Sequence, residues 1–258
     1  SLAACGGTTE TETTDTEGSD SEGQTYTIGV IQQMQHEALD AATQGFQDAV
    51  AELFGDQASV EVQNASGEAA NCSTIVGSFV SSGVDLIMAN GTTALQSAAA
   101  ATTTIPILGT SITEYGVALG IDGFTGTTGM NVSGTSDLAP LDQQAAMLQE
   151  WFPDAKNVGL LYCSAEPNSL YQVETVQGYL EEMGYTCTPY SFSDSNDLSA
   201  VATNACAQSD VLYIPTDNTA ATNAELIGNI AQSSATPIIA GEEGICSGCG
   251  VATLTISY

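Results

Sequence analysis

The sequence predicts an α/β protein made of two similar lobes, each a parallel sheet covered by helices. Three observations carry this. From Tyr26 onward, short apolar runs alternate with segments of helical period, the pattern of parallel strands with helices on both faces. The chain also repeats itself: Thr27-Ile28-Gly29-Val30-Ile31 matches Asn157-Val158-Gly159-Leu160-Leu161, and Val84–Thr93 parallels Ser209–Asn218. Each copy then runs through a helix to Ile105-Pro106-Ile107-Leu108-Gly109-Thr110 or Thr236-Pro237-Ile238-Ile239-Ala240-Gly241. Finally, hydrophobic residues make up 43% of the chain, enough for one large or two mid-sized cores. Chance likeness among α/β units is the competing explanation of the repeat.

Residues 1–25 differ from the rest. Leu2-Ala3-Ala4-Cys5 has the form of a bacterial lipobox, in which the signal peptide is removed and the new N-terminal Cys is acylated. Cys5 is therefore the expected lipidation site, an ordinary small-residue N-terminus being the alternative. The Gly/Ser/Thr/Glu-rich run that follows has the composition of a flexible acidic tether. Expected strands are Tyr26–Ile31, Ala58–Val62, Asp85–Ala89 and Ile105–Gly109 in the first lobe. In the second they are Asn157–Tyr162, Thr186–Phe192, Val211–Pro215, Pro237–Ala240 and Val251–Ser257. Leu39, Ala42, Phe46, Ala49, Val50 and Leu53 make a 3.6-period apolar face between the first two strands. Ile75, Val76, Phe79 and Val80 lead to Gly83, and Val173, Val176, Leu180 and Met183 to Gly184, a C′ stop. Lobes are expected at 26–130 and 131–258, with a Gly/Ser/Thr-rich hinge over Gly126–Ser136. No segment approaches the roughly 18 continuous apolar residues of a membrane span.

Composition excludes several function classes. The chain has 31 Asp plus Glu against a single Lys, no Arg and one His, a net charge of −30. Nucleic-acid binding needs Lys and Arg to displace counterions, so no nucleic-acid partner is expected. Attraction to an anionic membrane surface is excluded on the same ground, leaving the N-terminal lipid as the only membrane attachment. The one Lys, Lys156, lies in Asp-Ala-Lys-Asn and not after a glycine loop, which removes the Walker nucleotide site.

In open parallel sheets, ligands sit beyond the carboxyl ends of the strands. That rule selects Gln32–Glu37, Asn90–Thr93 and Thr110–Tyr115 in the first lobe, and Cys163–Ser169, Thr216–Thr219 and Gly241–Gly244 in the second. The candidate ligand contacts there are Gln33, His36, Asn90, Thr92, Thr93, Ser111 and Thr113, facing Ser164, Glu166, Asn168, Asp217, Asn218 and Glu242. Hydroxyls and helix-start N–H groups on one lobe with carboxylates on the other suit a zwitterion. Thr92, Thr93 and Ser111 are expected to take its carboxylate. Asp217 is expected to take its ammonium, with Glu242 in reserve. Plainer roles compete: Thr92, Thr93 and Asp217 as N-caps, Glu242 and Glu243 as solvated loop acids, His36 as a helix-start residue.

Enzyme templates fit badly. His36 is the only base for a Ser or Cys triad, and there is no Gly-x-Ser-x-Gly elbow. A Cys protease would have to pair it with Cys163. Pyridoxal chemistry would rest on Lys156, at the amino end of a strand. Tyr26–Ile31 is not followed by a dinucleotide fingerprint. No enzyme activity, cofactor or metal is expected. Cys246-Ser-Gly-Cys249 lacks the second Cys/His pair of a zinc site; a local disulfide is expected there, over a redox pair.

Several segments together carry a resemblance over Tyr26 to Tyr258. They include Gly29-Val30-Ile31-Gln32…His36-Glu37-Ala38-Leu39-Asp40, Asn131-Val132-Ser133-Gly134-Thr135-Ser136-Asp137, Leu161–Ser169, Pro215-Thr216-Asp217-Asn218-Thr219 and Ala240-Gly241-Glu242-Glu243-Gly244. The chain resembles the substrate-binding lipoproteins of ABC importers, of the tryptophan/tyrosine-binding type. That resemblance implies a type I periplasmic-binding-protein fold, two Rossmann-like lobes closing on a ligand. It also implies an aromatic amino acid as the ligand, an ABC permease as partner, and an extracytoplasmic location at the bacterial cell membrane. A ligand-sensing clamshell feeding a signalling receptor is the alternative. Relatives continue past Tyr258 into the first lobe, so a C-terminal crossover is expected to be missing here. They also carry ordinary numbers of Lys and Arg, a difference without a physical account.

Overall fold

A computed structural model describes residues 23–258; Cys5 and most of the expected tether lie outside them. The first lobe runs β1 (Tyr26–Gln32), α1 (Glu37–Phe54), β2 (Ala58–Asn64), α2 (Ala69–Ser82), β3 (Leu86–Asn90), α3 (Thr92–Ala101), β4 (Ile107–Ile112), α4 (Tyr115–Leu119) and β5 (Val132–Ser136). The second runs α5 (Leu141–Trp151), β6 (Asn157–Cys163), α6 (Pro167–Glu182), β7 (Thr186–Phe192), α7 (Leu198–Gln208) and β8 (Val211–Ile214). It ends with α8 (Asn218–Thr222), α9 (Ala224–Ser234), β9 (Ile238–Ala240), α10 (Glu243–Cys249) and β10 (Ala252–Thr253).

Both sheets are wholly parallel, ordered β2-β1-β3-β4-β5 and β7-β6-β8-β9-β10. Counted within each lobe the order is the same, so the sequence repeat is a repeat of topology. The order reverses between β1 and β3 and again between β6 and β8, which opens a crevice at each carboxyl edge. The central strands are buried: Val30, Ile31, Ile87 and Ala89 in one sheet, Leu160, Leu161, Leu212 and Ile214 in the other. Gly29 lets α2 close on the sheet, since a Cβ there would stand 2.6 Å from the Phe79 ring, and Gly159 makes room for Ser209 and Leu212.

Four expectations change. Val132–Ser136, placed in the hinge, is the edge strand of the first sheet, paired with β4. The lobe boundary therefore falls after Ser136 and not at 130. The expected strand Val251–Ser257 is ordered as a strand only at Ala252–Thr253; Leu254–Tyr258 then turns back along the crossover. There Gln144 Nε2 donates to the Leu254 carbonyl (2.9 Å) and the Tyr258 hydroxyl donates to Asp137 Oδ2. On α1, Leu53 is 74% exposed despite its place in the apolar period. The core on that side of the first sheet draws helical residues from α1 alone, whereas α5 and α6 both cover the matching side of the second. Finally, Cys246 and Cys249 lie on α10 and not in a turn, and both are free thiols, so the expected disulfide is not formed. Cys249 Sγ–H points along the helix to the Ile245 carbonyl (3.2 Å). Among the described residues, no helix is long and apolar enough to cross a membrane.

Candidate functional site

The carboxyl edges of the two sheets face each other across a narrow crevice. Its first-lobe wall is His36, Ala38 and Leu39 at the start of α1, with Ser111 and Thr113 after β4. The second-lobe wall is Asn168, Thr216, Asp217, Asn218, Ala221 and Glu242. Asp137, on the connection between the lobes, and Tyr258, in the segment after β10, close the end. The chain crosses the gap directly: His36 Nε2 lies 2.8 Å from Asn218 Oδ1. Asn218 Nδ2 donates to Glu166 Oε1 (2.6 Å), which turns Oδ1 toward the imidazole, so Nε2 carries the hydrogen. Beside it the Thr222 hydroxyl meets Met34 Sδ at 3.0 Å.

Seven of the sequence candidates line this crevice: His36, Ser111, Thr113, Asn168, Asp217, Asn218 and Glu242. The rest form the scaffolding behind it. Gln33 Oε1 accepts the Thr93 N–H (2.8 Å), so the N-terminus of α3 is capped by the protein's own side chain. Gly91, at φ 111°, makes room: a Cβ there would stand 2.6 Å from Gln33 Oε1. Thr92 and Thr93 thus sit outside the crevice, and the N–H expected to hold a carboxylate is occupied. Asn90 Nδ2 donates to the Leu39 carbonyl (2.8 Å) and to Thr43 Oγ1 (2.9 Å), tying α1 to the end of β3. Ser164 Oγ donates to the Phe192 carbonyl (3.3 Å).

The acids divide sharply. Glu166 Oε1 and Oε2 accept the N–H groups of Asn218 (3.1 Å) and Thr219 (3.0 Å) at the start of α8. Asp217 Oδ1 accepts Ala220 N–H and Oδ2 accepts Cys163 N–H, both at 2.7 Å. Glu242 takes Gly244 and Ile245 N–H, each at 2.8 Å. All three are caps with both oxygens engaged, so Asp217 fills the capping role that competed with ligand contact. Burial and the neighbouring Glu166 raise the Asp217 carboxyl well above its ordinary range. The Cys163 thiol is pushed up to about 12 by burial, then by Asp217 and Glu166. It is protonated at neutral pH and is no nucleophile.

Asp137, absent from the sequence candidates, is different. It is 7% exposed, and its Oδ2 accepts from Tyr258 while Oδ1 has no partner. The Thr113 hydroxyl lies near the carboxylate and acts to lower its pKa, without hydrogen-bonding geometry to Oδ1. Burial dominates and raises the Asp137 pKa, with Glu242 adding to the rise. The available signal was its place in Ser136-Asp137, the residue that follows the edge strand, where the chain changes lobe.

Residues 27–258 match the family model described as ABC transporter substrate binding protein. The chain belongs to the ABC transporter substrate-binding protein family. It has the type I periplasmic-binding-protein fold. A "Tyrosine-binding protein" of Clostridioides difficile (strain R20291) is 33% identical over 234 residues, 90% of this chain and 68% of that protein. The L-Trp complex of an ABC domain from Streptococcus pneumonia superposes with a TM-score of 0.86 at 30% identity, covering 91% of this chain and 80% of that one. A ligand-free, open substrate-binding protein with adhesive properties from Clostridium difficile reaches 0.61 at 33% identity, covering 87% and 77%. The better match goes to the complex despite slightly lower identity. The lobes of this substrate-binding protein are therefore disposed more as in the L-Trp complex than as in the open protein, in keeping with the His36–Asn218 bridge.

Proposed function

We propose that this protein captures a free aromatic amino acid between its lobes outside the cytoplasm and delivers it to an ABC importer permease. The observation that carries the reading is the match to the tryptophan complex together with the interlobe crevice lined from both sheets. The tyrosine-binding relative supports the same ligand class. Ala38, Leu39 and Ala221 give the crevice an apolar wall that a ring would meet once the lobes part to admit it, beside the polar groups that a zwitterion needs. Closure follows because only the closed form lets one ligand touch both lobes, so binding shifts the population toward it. Leu2-Ala3-Ala4-Cys5 supports attachment through an acylated Cys5, and mass spectrometry of the detergent phase from the native host tests it.

The test of the ligand class is thermal denaturation with L-tyrosine, L-tryptophan and L-phenylalanine against L-leucine and L-isoleucine. At a hundredfold excess over Kd, a true ligand stabilises by about 2.7 kcal/mol. A shift with the aromatic set and none with the aliphatic set is expected; the reverse pattern refutes the assignment.

A further inference from the structure

Among the described residues, six buried side-chain oxygens have no hydrogen-bond partner, and three of them line the interlobe crevice. They are Ser111 Oγ from the end of β4, Asp137 Oδ1 from the crossover, and Asn168 Oδ1 from the first turn of α6. One comes from each lobe and one from the connection between them. Asp137 and Asn168 are 7% and 6% exposed, so neither can settle its hydrogen bonds with bulk water. The crevice they share has room for about one water-sized group.

Among the described residues, nothing positive reaches them. Glu166, Asp217 and Glu242 bring further negative charge, and their oxygens are bound to N–H groups. Lys156 lies just before β6, at the amino edge of the sheet and away from the crevice. His36 turns its Nε2–H to Asn218. A buried carboxylate with an unpaired oxygen needs a cationic donor. Three unpaired acceptors around a water-sized space match the three N–H donors of a primary ammonium.

We propose that Asp137, Asn168 and Ser111 form the receptor for the ligand's primary ammonium, with Asp137 supplying the counter-charge. The inference rests on the amino-acid reading above and deepens it, moving the ammonium from Asp217 to the crossover. Ser111 reports to the first lobe, Asn168 to the second and Asp137 to the joint between them. A single ammonium therefore bridges all three parts in the closed form, and a ligand without one leaves the carboxylate unpaired. The site selects amines by what it lacks, namely any cation of its own.

The experiment is calorimetry on the full chain and its variants with five probes: L-tyrosine, L-tryptophan, L-leucine, tyramine and 3-(4-hydroxyphenyl)propionate. Wild type is expected to bind one or more of the primary amines and not the deaminated acid. Asp137→Asn is expected to lose more than about a hundredfold in affinity. Its ligand-free Tm should hold or rise, because a buried unpaired charge has been removed; a merely structural role would lower it. Asn168→Ala and Ser111→Ala should each lose roughly tenfold. Affinity of Asp137→Asn within threefold of wild type, or binding of the deaminated acid as tight as its parent, overturns the proposal. Should Asp137→Asn not fold, unchanged affinities in both other variants overturn it. Binding of only L-leucine, lost in Asp137→Asn, supports this site while refuting the aromatic reading, and binding of only tyramine, likewise lost, supports it while refuting the amino-acid reading. No binding of any primary amine refutes both.

Discussion

Replacing Asp217 by Ala tests whether this carboxylate holds the second lobe together. The side chain is 1% exposed, and it ties the end of β6 to the first turn of α8 through two N–H bonds of 2.7 Å. Alanine leaves the N–H groups of Cys163 and Ala220 buried without acceptors. Each such loss costs about 1–3 kcal/mol. Part is returned, because a carboxylate disfavoured by burial and by Glu166 is removed with it. The net expectation is a loss of about 2–4 kcal/mol. For a chain of this size that corresponds to a Tm lowered by roughly 4–16 °C, read by circular dichroism without ligand. Asp217→Asn should fall between, since its amide can accept one N–H but turns a donor toward the other. A Tm within about 1 °C of wild type for Asp217→Ala would refute the capping account and return Asp217 to the ligand.

Stability should rise as pH falls from 8 toward 4. Asp137 and Asp217 have folded-state pKa values raised above 3.8, so their contribution is full below that value and lost as pH rises through the raised ones. Asp197 and Asp210 are lowered below 3.8 by backbone hydrogen bonds, so their contribution disappears on further acidification; a urea midpoint that climbs steadily from pH 5 to 8 contradicts this. Gly134→Ala should cost at least about 2 kcal/mol in urea unfolding, because its Cβ would land on the Gly109 carbonyl and the Tyr115 hydroxyl that bracket β5; a neutral effect would mean β5 is not held as described. His36→Ala removes one interlobe bond, worth about 0.5–1.5 kcal/mol, and should open the ligand-free protein measurably in small-angle scattering. An unchanged radius of gyration counts against the bridge.

Helical and strand periods are local, so they could be read from the chain. The apolar runs at Tyr26–Ile31 and Asn157–Tyr162, and their matching surroundings, already implied two sheets of one topology and the loops that face each other between them. Other features were settled by partners distant in sequence. Val132–Ser136 has no apolar run, and only Val132 of its residues is buried; it is a strand because the edge of β4 offers it hydrogen bonds. Cys246-Ser-Gly-Cys249 reads as a Gly-rich turn, yet Glu242 caps its N-terminal N–H groups and the segment is helical. The acids show the limit most plainly. Composition told that the crevice would contain no Arg, because that is a count, and the loops at the strand ends told that one wall would be acidic. Which carboxylate remains free depends on where the N–H groups of α8 and α10 point. Those helices saturate Glu166, Asp217 and Glu242 and pass Asp137 by. A hydrogen-bonding vacancy belongs to the packed arrangement of donors around an oxygen, and that arrangement exists only once the two lobes and the connection between them have come together.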